Sequence, residues 1–458
     1  MKVGHFSDLH FCQEHLEEVD RCMAAAVEAA IDEGIEVAVI SGDATDHRLD
    51  LHSPAVKRLG RHIHKLSNHC PVLMLQGTFS HEPPGTLDLF SLIGGKFPVY
   101  VAEQIEQVAL LQDGSWLSSL CGEIGDWRFE HVPEQAVALF SCLPAINKAS
   151  LVAAVGHSEA EFMGDVVADL LSGFGDINQQ ARNDKIPTMA VSHGTVSGCM
   201  TEHGVPMLGL DHEFTVGSLF AAKASAFLLG HIHKHQAWEK ELPGYGTQRA
   251  AYAGSIGRLH YGEEGDKGWL FWDVDWRNAS CVLMPTPSRR LIHLDFDGIP
   301  DMDAVRAAAI SAQGAFVRVR YSVDEEHRHE VDREAIQHIL ENAGAAAVKT
   351  EGRVIPVIRV RAEGISKANS LDEKLQKWAE TTSVEFSPLQ QRLHQLTTQE
   401  PEAILDGLLH KPSAPTVITV ESAPESLTTT STCEKVEERP SPLAGSEIPA
   451  FQDLSDLF

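Results

Sequence analysis

Five short apolar runs, each followed at once by a cluster rich in Asp, His and Gly, constrain the fold of this chain more than any other feature. The runs are residues 3–7, 37–41, 71–75, 188–191 and 226–229. The clusters are Asp8-Leu9-His10, Gly42-Asp43, Gly77-Thr78-Phe79-Ser80-His81-Glu82, Ser192-His193-Gly194 and Gly230-His231-Ile232-His233. A short continuous apolar run reads as a strand buried on both faces of a mixed or parallel sheet. Ligands collect beyond the carboxyl ends of such strands in open α/β sheets, which is where these clusters fall. Between the first two runs, residues 15–33 carry Leu16, Val19, Met23, Val27 and Ile31 at helical spacing and stop at Gly34.

Beyond Glu82 the spacing shortens. Residues 97–101, 107–112, 127–130 and 137–142 read as strands of a second sheet, followed by a helix at 176–183 and closing strands at 249–253 and 269–274. The order predicts an α/β domain over residues 1–285, two sheets with helices outside. An α+β accessory domain is expected over 286–365, with strands at 290–295, 314–321, 346–349 and 355–361 and a helix at 333–343. Residues 366–410 read as a helical partner-docking region, with helices at 370–380 and 388–409, the second striped by Leu389, Leu393, Leu396, Ile404 and Leu408. From 411 to 458 the Pro, Ser, Thr and Glu content reads as a flexible acidic tail.

The 458 residues include 37 Lys plus Arg against 65 Asp plus Glu, a formal charge of -28. Such a field repels polyanions and argues against non-specific duplex binding by this chain alone. It leaves a phosphodiester substrate open, because metal ions invert the field of a cleft and a partner can supply basic surface. Eight cysteines without a CxxC pair give little support to a structural zinc site or an extracellular disulfide framework. With no run of signal-peptide or membrane-spanning length, a cytoplasmic location is expected.

Asp8, His10, Asp43, His193, His231 and His233 are the candidate metal ligands, since carboxylates and neutral imidazoles suit Mn, Fe or Zn. Side chains two apart on an extended segment point the same way, so Asp8 with His10, and His231 with His233, can each approach one centre. Asp43 has two oxygens with which to bridge a pair of metals about 4 Å apart. His47, His62, His64 and His69 occupy or flank an expected helix and are assigned surface or supporting roles.

Taken in order, these clusters resemble the motifs of calcineurin-like metallophosphoesterases. Tyr252-Ala253-Gly254-Ser255, then Tyr261-Gly262-Glu263-Glu264-Gly265 and Lys267-Gly268, resemble more narrowly the SbcD-type DNA nuclease subunit. The resemblance covers roughly residues 1–280 and implies a two-sheet αββα sandwich. It implies one metal held by Asp8, His10, Asp43 and His233, and a second held by Asp43, His193, His231 and a residue at an asparagine position. Here Ser80-His81-Glu82 is the match to Asn-His-Asp, so Ser80 is the expected ligand, with Thr78 a competing source of that oxygen and a weakened second site the consequence. His81 is then expected to contact phosphate or protonate the leaving group, Glu82 to orient its other ring nitrogen, and Asp46, one helical turn after Asp43, to support the site. The resemblance further implies two divalent ions, Mn foremost, and a metal-held hydroxide attacking in line. Its implied partners are DNA as the substrate of an exonuclease or endonuclease, an SbcC-like coiled-coil ATPase and a homodimer within that complex, with no membrane. A stand-alone nucleotide or small-molecule phosphodiesterase and a noncatalytic scaffold are the alternatives.

Overall fold

The computed structural model describes residues 1–47, 50, 52–121, 125–146, 163–201, 213–242, 246–356 and 365–404. They form two compact units, one of Met1–Val323 with His327–Arg353, the other beginning at Val354 and including Asp324–Glu326. The first half of the chain supplies β1 (Lys2–Phe6), α1 (Leu16–Asp32), β2 (Val37–Ile40), α2 (Pro54–Ser67), β3 (Val72–Leu75), β4 (Val99–Ala102), β5 (Glu106–Leu111), β6 (Trp116–Ser118), β7 (Ala136–Leu143) and β8 (Thr188–His193). Then come β9 (Thr195–Val196), β10 (Glu213–Phe214), β11 (Ala226–Gly230), β12 (Gln236–Leu242), β13 (Gly246–Tyr252), β14 (Gly268–Val274), β15 (Ala279–Pro285), β16 (Leu291–Asp297), β17 (Phe316–Asp324) and β18 (Ala347–Ile355).

Two large sheets dominate, ordered β15-β14-β1-β2-β3-β4 and β12-β13-β11-β8-β7-β5-β6. Strands β1 to β4 run parallel in the first, as do β7, β8, β11 and β13 in the second. The sheets pack face to face: Val3, Val37, Val39, Leu73 and Leu75 meet Val108, Phe140, Val191, Leu228 and Ala251 in one buried layer. On the outer face of the first sheet, Val19, Met23 and Val27 of α1 and Leu59 and Ile63 of α2 cover Phe6, Ile40 and Met74. On the outer face of the second, Val167, Leu171 and Phe174 from the helix Met163–Asn183 and Leu219 from the helix Val216–Ala221 cover Ala190, Phe227 and Leu229. Each such aliphatic side chain contributes about 1.5–3 kcal/mol when fully buried, so these layers are the main source of stability. The result is an α/β sandwich.

Strand β14 shows the alternation that makes this work. Leu270, Trp272 and Val274 enter the layer between the sheets, whereas Trp269 lies among the residues under α1. Ser53 caps α2 by accepting from Val56 N, with Pro54 opening the helix. His62 on α2 bonds Asp20 of α1 at 2.8 Å, a bridge between helices.

A three-stranded sheet, β16-β17-β18, follows β15. Val317 and Val319 pack under Val305, Ile336 and Leu340 from the helices Met302–Ala309 and Arg333–Asn342, an α+β arrangement. Its last strand is one element, Ala347–Ile355, rather than the two expected, and residues 357–361 of the second lie outside the described residues. The second unit contains the helices Leu371–Thr382 and Phe386–Thr398. The expected continuous helix over 388–409 stops at Thr398, because Pro401 has no N–H to continue the ladder and instead starts a new helical stretch at 401–404. Residues 405–410 and the tail lie outside the described residues.

Two further expectations are corrected. Residues 127–130 form no strand. The helix expected at 176–183 begins at Met163, since Val167, Leu171 and Phe174 continue its buried stripe toward the N-terminus. Among the described residues, no helix is long and apolar enough to cross a membrane.

Candidate metal centre

The carboxyl ends of β1, β2 and β3 deliver Asp8, Asp43 and Thr78, and those of β8 and β11 deliver His193 and His231. Parallel pairing puts these ends on one edge of each sheet, and face-to-face packing brings the edges together. The β1 and β2 ends are further tied by Asp8 N to Gly42 O at 3.2 Å and His10 N to Asp43 O at 2.9 Å. Asp8, His10, Asp43 and His231 all have positive φ, of 49°, 49°, 51° and 99°. Left-handed backbone is costly for residues with a Cβ, so strain is concentrated where the ligands are held. Gly77 is required for a different reason: a Cβ there would lie 2.2 Å from Asp43 N.

Among the described residues three ligand groups emerge, each with donor atoms within 4.8 Å of one another: Asp8, His10 and His233; Asp43, His193 and His231; and His10, Asp46 and His81. Asp43 Oδ2 lies 3.1 Å from His193 Nε2 and 3.9 Å from His10 Nε2, which puts it between the first two groups. Asp8 accepts from Ser7 Oγ at 2.6 Å and from His231 N at 3.0 Å, which fixes its carboxylate.

The imidazoles are held by their outer nitrogens. His193 Nδ1 donates to Ser41 O at 2.8 Å, His10 Nδ1 to Asp46 Oδ1 at 3.2 Å and His233 Nδ1 to Glu263 Oε1 at 3.0 Å. Each bond commits Nδ1 as the donor and turns Nε2 inward, the preparation a metal-binding histidine needs. His10 Nε2 and His233 Nε2 then stand 3.0 Å apart. Two donors at right angles and about 2.1 Å from one ion are separated by about 3.0 Å, so this pair fits a metal.

The electrostatics concentrate charge at the same place. Burial opposes ionisation of Asp43, but His193, His10 and His81 outweigh it and hold the carboxyl below the usual range. Burial would lower His193, yet Asp43 reverses this and raises the imidazole to about 10. A buried carboxylate gathering positive charge in this way also suits a divalent ion.

Glu263 was not singled out as a functional residue by sequence reasoning. It is fully buried, accepts from His233 Nδ1 and from Leu259 N at 2.9 Å, and pairs with Lys267 at 3.1 Å. Burial works against its charge, but His233 and Lys267 prevail and lower it to about 2. Lys267 Nζ also donates to His233 O and to Ser255 Oγ. The only sequence signal was the Tyr261–Gly268 glycine-rich segment in which both lie.

The residues of the 77–82 turn are arranged differently from expectation. Ser80 is exposed. Thr78 takes the place by the cluster, its hydroxyl 3.2 Å from both Asp43 Oδ2 and His193 Nε2 and its N–H donating to Asp43 Oδ1 at 2.7 Å. Glu82 does not orient His81. It is buried and accepts from the backbone N–H groups of Ala44, Thr45 and Gly77, and burial with the nearby Asp43 raises it to about 7. Asp46 performs the orienting role: its carbonyl accepts from His81 Nδ1 at 2.6 Å and its carboxylate lies 3.4 Å from the same atom. Asp46 reaches there from an irregular loop, not from a helical turn after Asp43.

No protein-family model matches the chain, and a search of curated proteins finds no significant match.

Proposed function

We propose that this chain is a two-metal phosphodiesterase that hydrolyses DNA, the nuclease subunit of an SbcC-SbcD-like complex whose ATPase partner governs access to the site. The observation that carries the reading is Asp43 Oδ2, placed between the Asp8–His10–His233 and Asp43–His193–His231 groups. A bridging carboxylate with imidazoles on either side is the donor set of a paired-metal hydrolase.

Asp8, His10, Asp43, His193, His231 and His233 would hold the ions, with Mn the first expectation for mixed carboxylate and imidazole donors. When bound, such ions neutralise phosphoryl charge and lower the pKa of a water. The protein's own part is positioning. Ser41, Asp46 and Glu263 fix the ring orientations of His193, His10 and His233. His81, anchored through Nδ1 by Asp46, keeps its other nitrogen for a phosphate oxygen or the leaving group. The formal charge of -28 makes a partner's basic surface the natural support for a long polyanion.

The test uses full-length protein stripped of metal, then supplied with Mn, on linear duplex DNA, single-stranded DNA and a chromogenic small diester. Metal-dependent cleavage of DNA, strengthened by a co-purified coiled-coil ATPase, is expected. Hydrolysis of the small diester or of nucleotides alone would favour a stand-alone phosphodiesterase. No hydrolysis of any substrate would leave a scaffold.

A further inference from the structure

Thr78 Oγ1, Asp43 Oδ2 and His193 Nε2 form a nearly equilateral triangle with sides of 3.2, 3.2 and 3.1 Å. We propose that the Thr78 hydroxyl is the oxygen donor that completes the Asp43–His193–His231 metal position. The inference rests on the two-metal reading and names a ligand that reading leaves open.

The geometry carries it. Three donors on one face of an octahedron, each about 2.1 Å from the ion, stand about 3.0 Å apart, and this triangle has those dimensions. The ring orientation points the same way. His193 Nδ1–H is committed to Ser41 O, so Nε2 is the nitrogen turned to Asp43 Oδ2, at 3.1 Å. The Thr78 hydroxyl donates to Asp43 Oδ2 at 3.2 Å and keeps lone pairs that face the same space as His193 Nε2. A cation seated above this face would take a lone pair from each of the three, displacing any proton on His193 Nε2. A threonine hydroxyl is an accepted donor to Mg-like ions, as in phosphate-binding loops.

The turn makes Thr78 rather than Ser80 the donor. His81 N and Glu82 N both bond Thr78 O, at 2.9 and 2.7 Å, which curls the backbone so that residue 78 is partly buried against Asp43 and residue 80 is exposed. Thr78 N–H holds Asp43 Oδ1 whatever the side chain at 78, so a side-chain change there leaves Asp43 anchored.

Mn binding to metal-stripped full-length protein, measured by calorimetry and by metal content, tests the proposal on Thr78→Val, Thr78→Ser, Thr78→Cys and Ser80→Ala. Thr78→Val keeps the shape and removes the oxygen, so second-ion affinity should fall about tenfold or more, with the first ion held as in the wild type. Thr78→Ser should bind as the wild type does, as should Ser80→Ala. Thr78→Cys should favour Cd and show a thiolate-to-Cd charge-transfer band, a signature that requires direct ligation. Second-ion binding unchanged in Thr78→Val, or both ions weakened equally, would overturn the ligand assignment while the two-metal reading stands. A wild-type protein that takes up one ion or none would overturn both.

Discussion

His10 and His233 present their Nε2 atoms to each other at 3.0 Å, while each ring gives its Nδ1 proton to a carboxylate on the far side, Asp46 and Glu263 respectively. Two ring nitrogens so close need a proton or a metal ion between them. The carboxylates behind the rings therefore act on the metal position as much as the atoms facing it do.

Asp43→Asn tests the bridging role. The amide can still accept from Thr78 N–H, so the melting temperature should stay close to the wild type, whereas the charge shared by both ligand groups is gone. Hydrolysis at limiting Mn should fall by about a hundredfold or more. Unchanged steady-state rates would remove Asp43 from the centre of the site.

Glu263 should behave differently from a simple ligand. Glu263→Gln removes the charge behind His233, leaves one oxygen where two served His233, Leu259 and Lys267, and strands the Lys267 ammonium, so first-ion affinity should fall about 10–100-fold and stability by about 3–5 kcal/mol. Pairing it with Lys267→Met should recover most of the stability without recovering affinity. Denaturant titration and Mn calorimetry on the same three proteins measure both; affinity recovering together with stability would make Glu263 purely structural.

His81→Ala should bind Mn as the wild type does and lose about a hundredfold or more in turnover, as expected when a proton donor or phosphate contact is absent. Metal content and turnover are to be read on one preparation. A lost ion would instead make the His10–Asp46–His81 group a metal position in its own right.

A pH signature is expected in folding stability. His5 is fully buried between the sheets, donates from Nε2 to Ser41 Oγ at 2.7 Å and accepts at Nδ1 from Trp272 Nε1 at 3.4 Å. Burial, with a smaller contribution from His235, lowers it from 6.5 to about 3. The folded protein thus binds fewer protons than the unfolded chain between those values. Its contribution is complete above pH 6.5 and is lost as pH falls toward about 3, with a slope approaching about 1.4 kcal/mol per pH unit. Urea unfolding from pH 4 to 7 should show a shallower acid dependence in His5→Gln than in the wild type. Parallel slopes would mean that His5 is protonated inside the fold.

Much of this was legible because it was local. Apolar runs of strand length, ending in Asp8, Asp43, His193 and His231, announce both the strands and the candidate ligands, since a buried strand must be apolar along its length and change character where it leaves the sheet. The stripe from Leu16 through Val27 announced α1 in the same way.

Tertiary structure decided what depended on distance or on turn geometry. Glu263 supports His233 from thirty positions away, a relation that no spacing in either segment encodes. The choice of Thr78 over Ser80 and the turning of Glu82 onto the amides of Ala44, Thr45 and Gly77 follow from one curled turn and the β2 end packed against it. The sequence by itself determined which residue types stand at the strand ends. Which oxygens and nitrogens face one another was decided only when two parallel strand edges met, because the direction of a side chain in a turn is set by backbone hydrogen bonds and neighbours that the linear order does not contain.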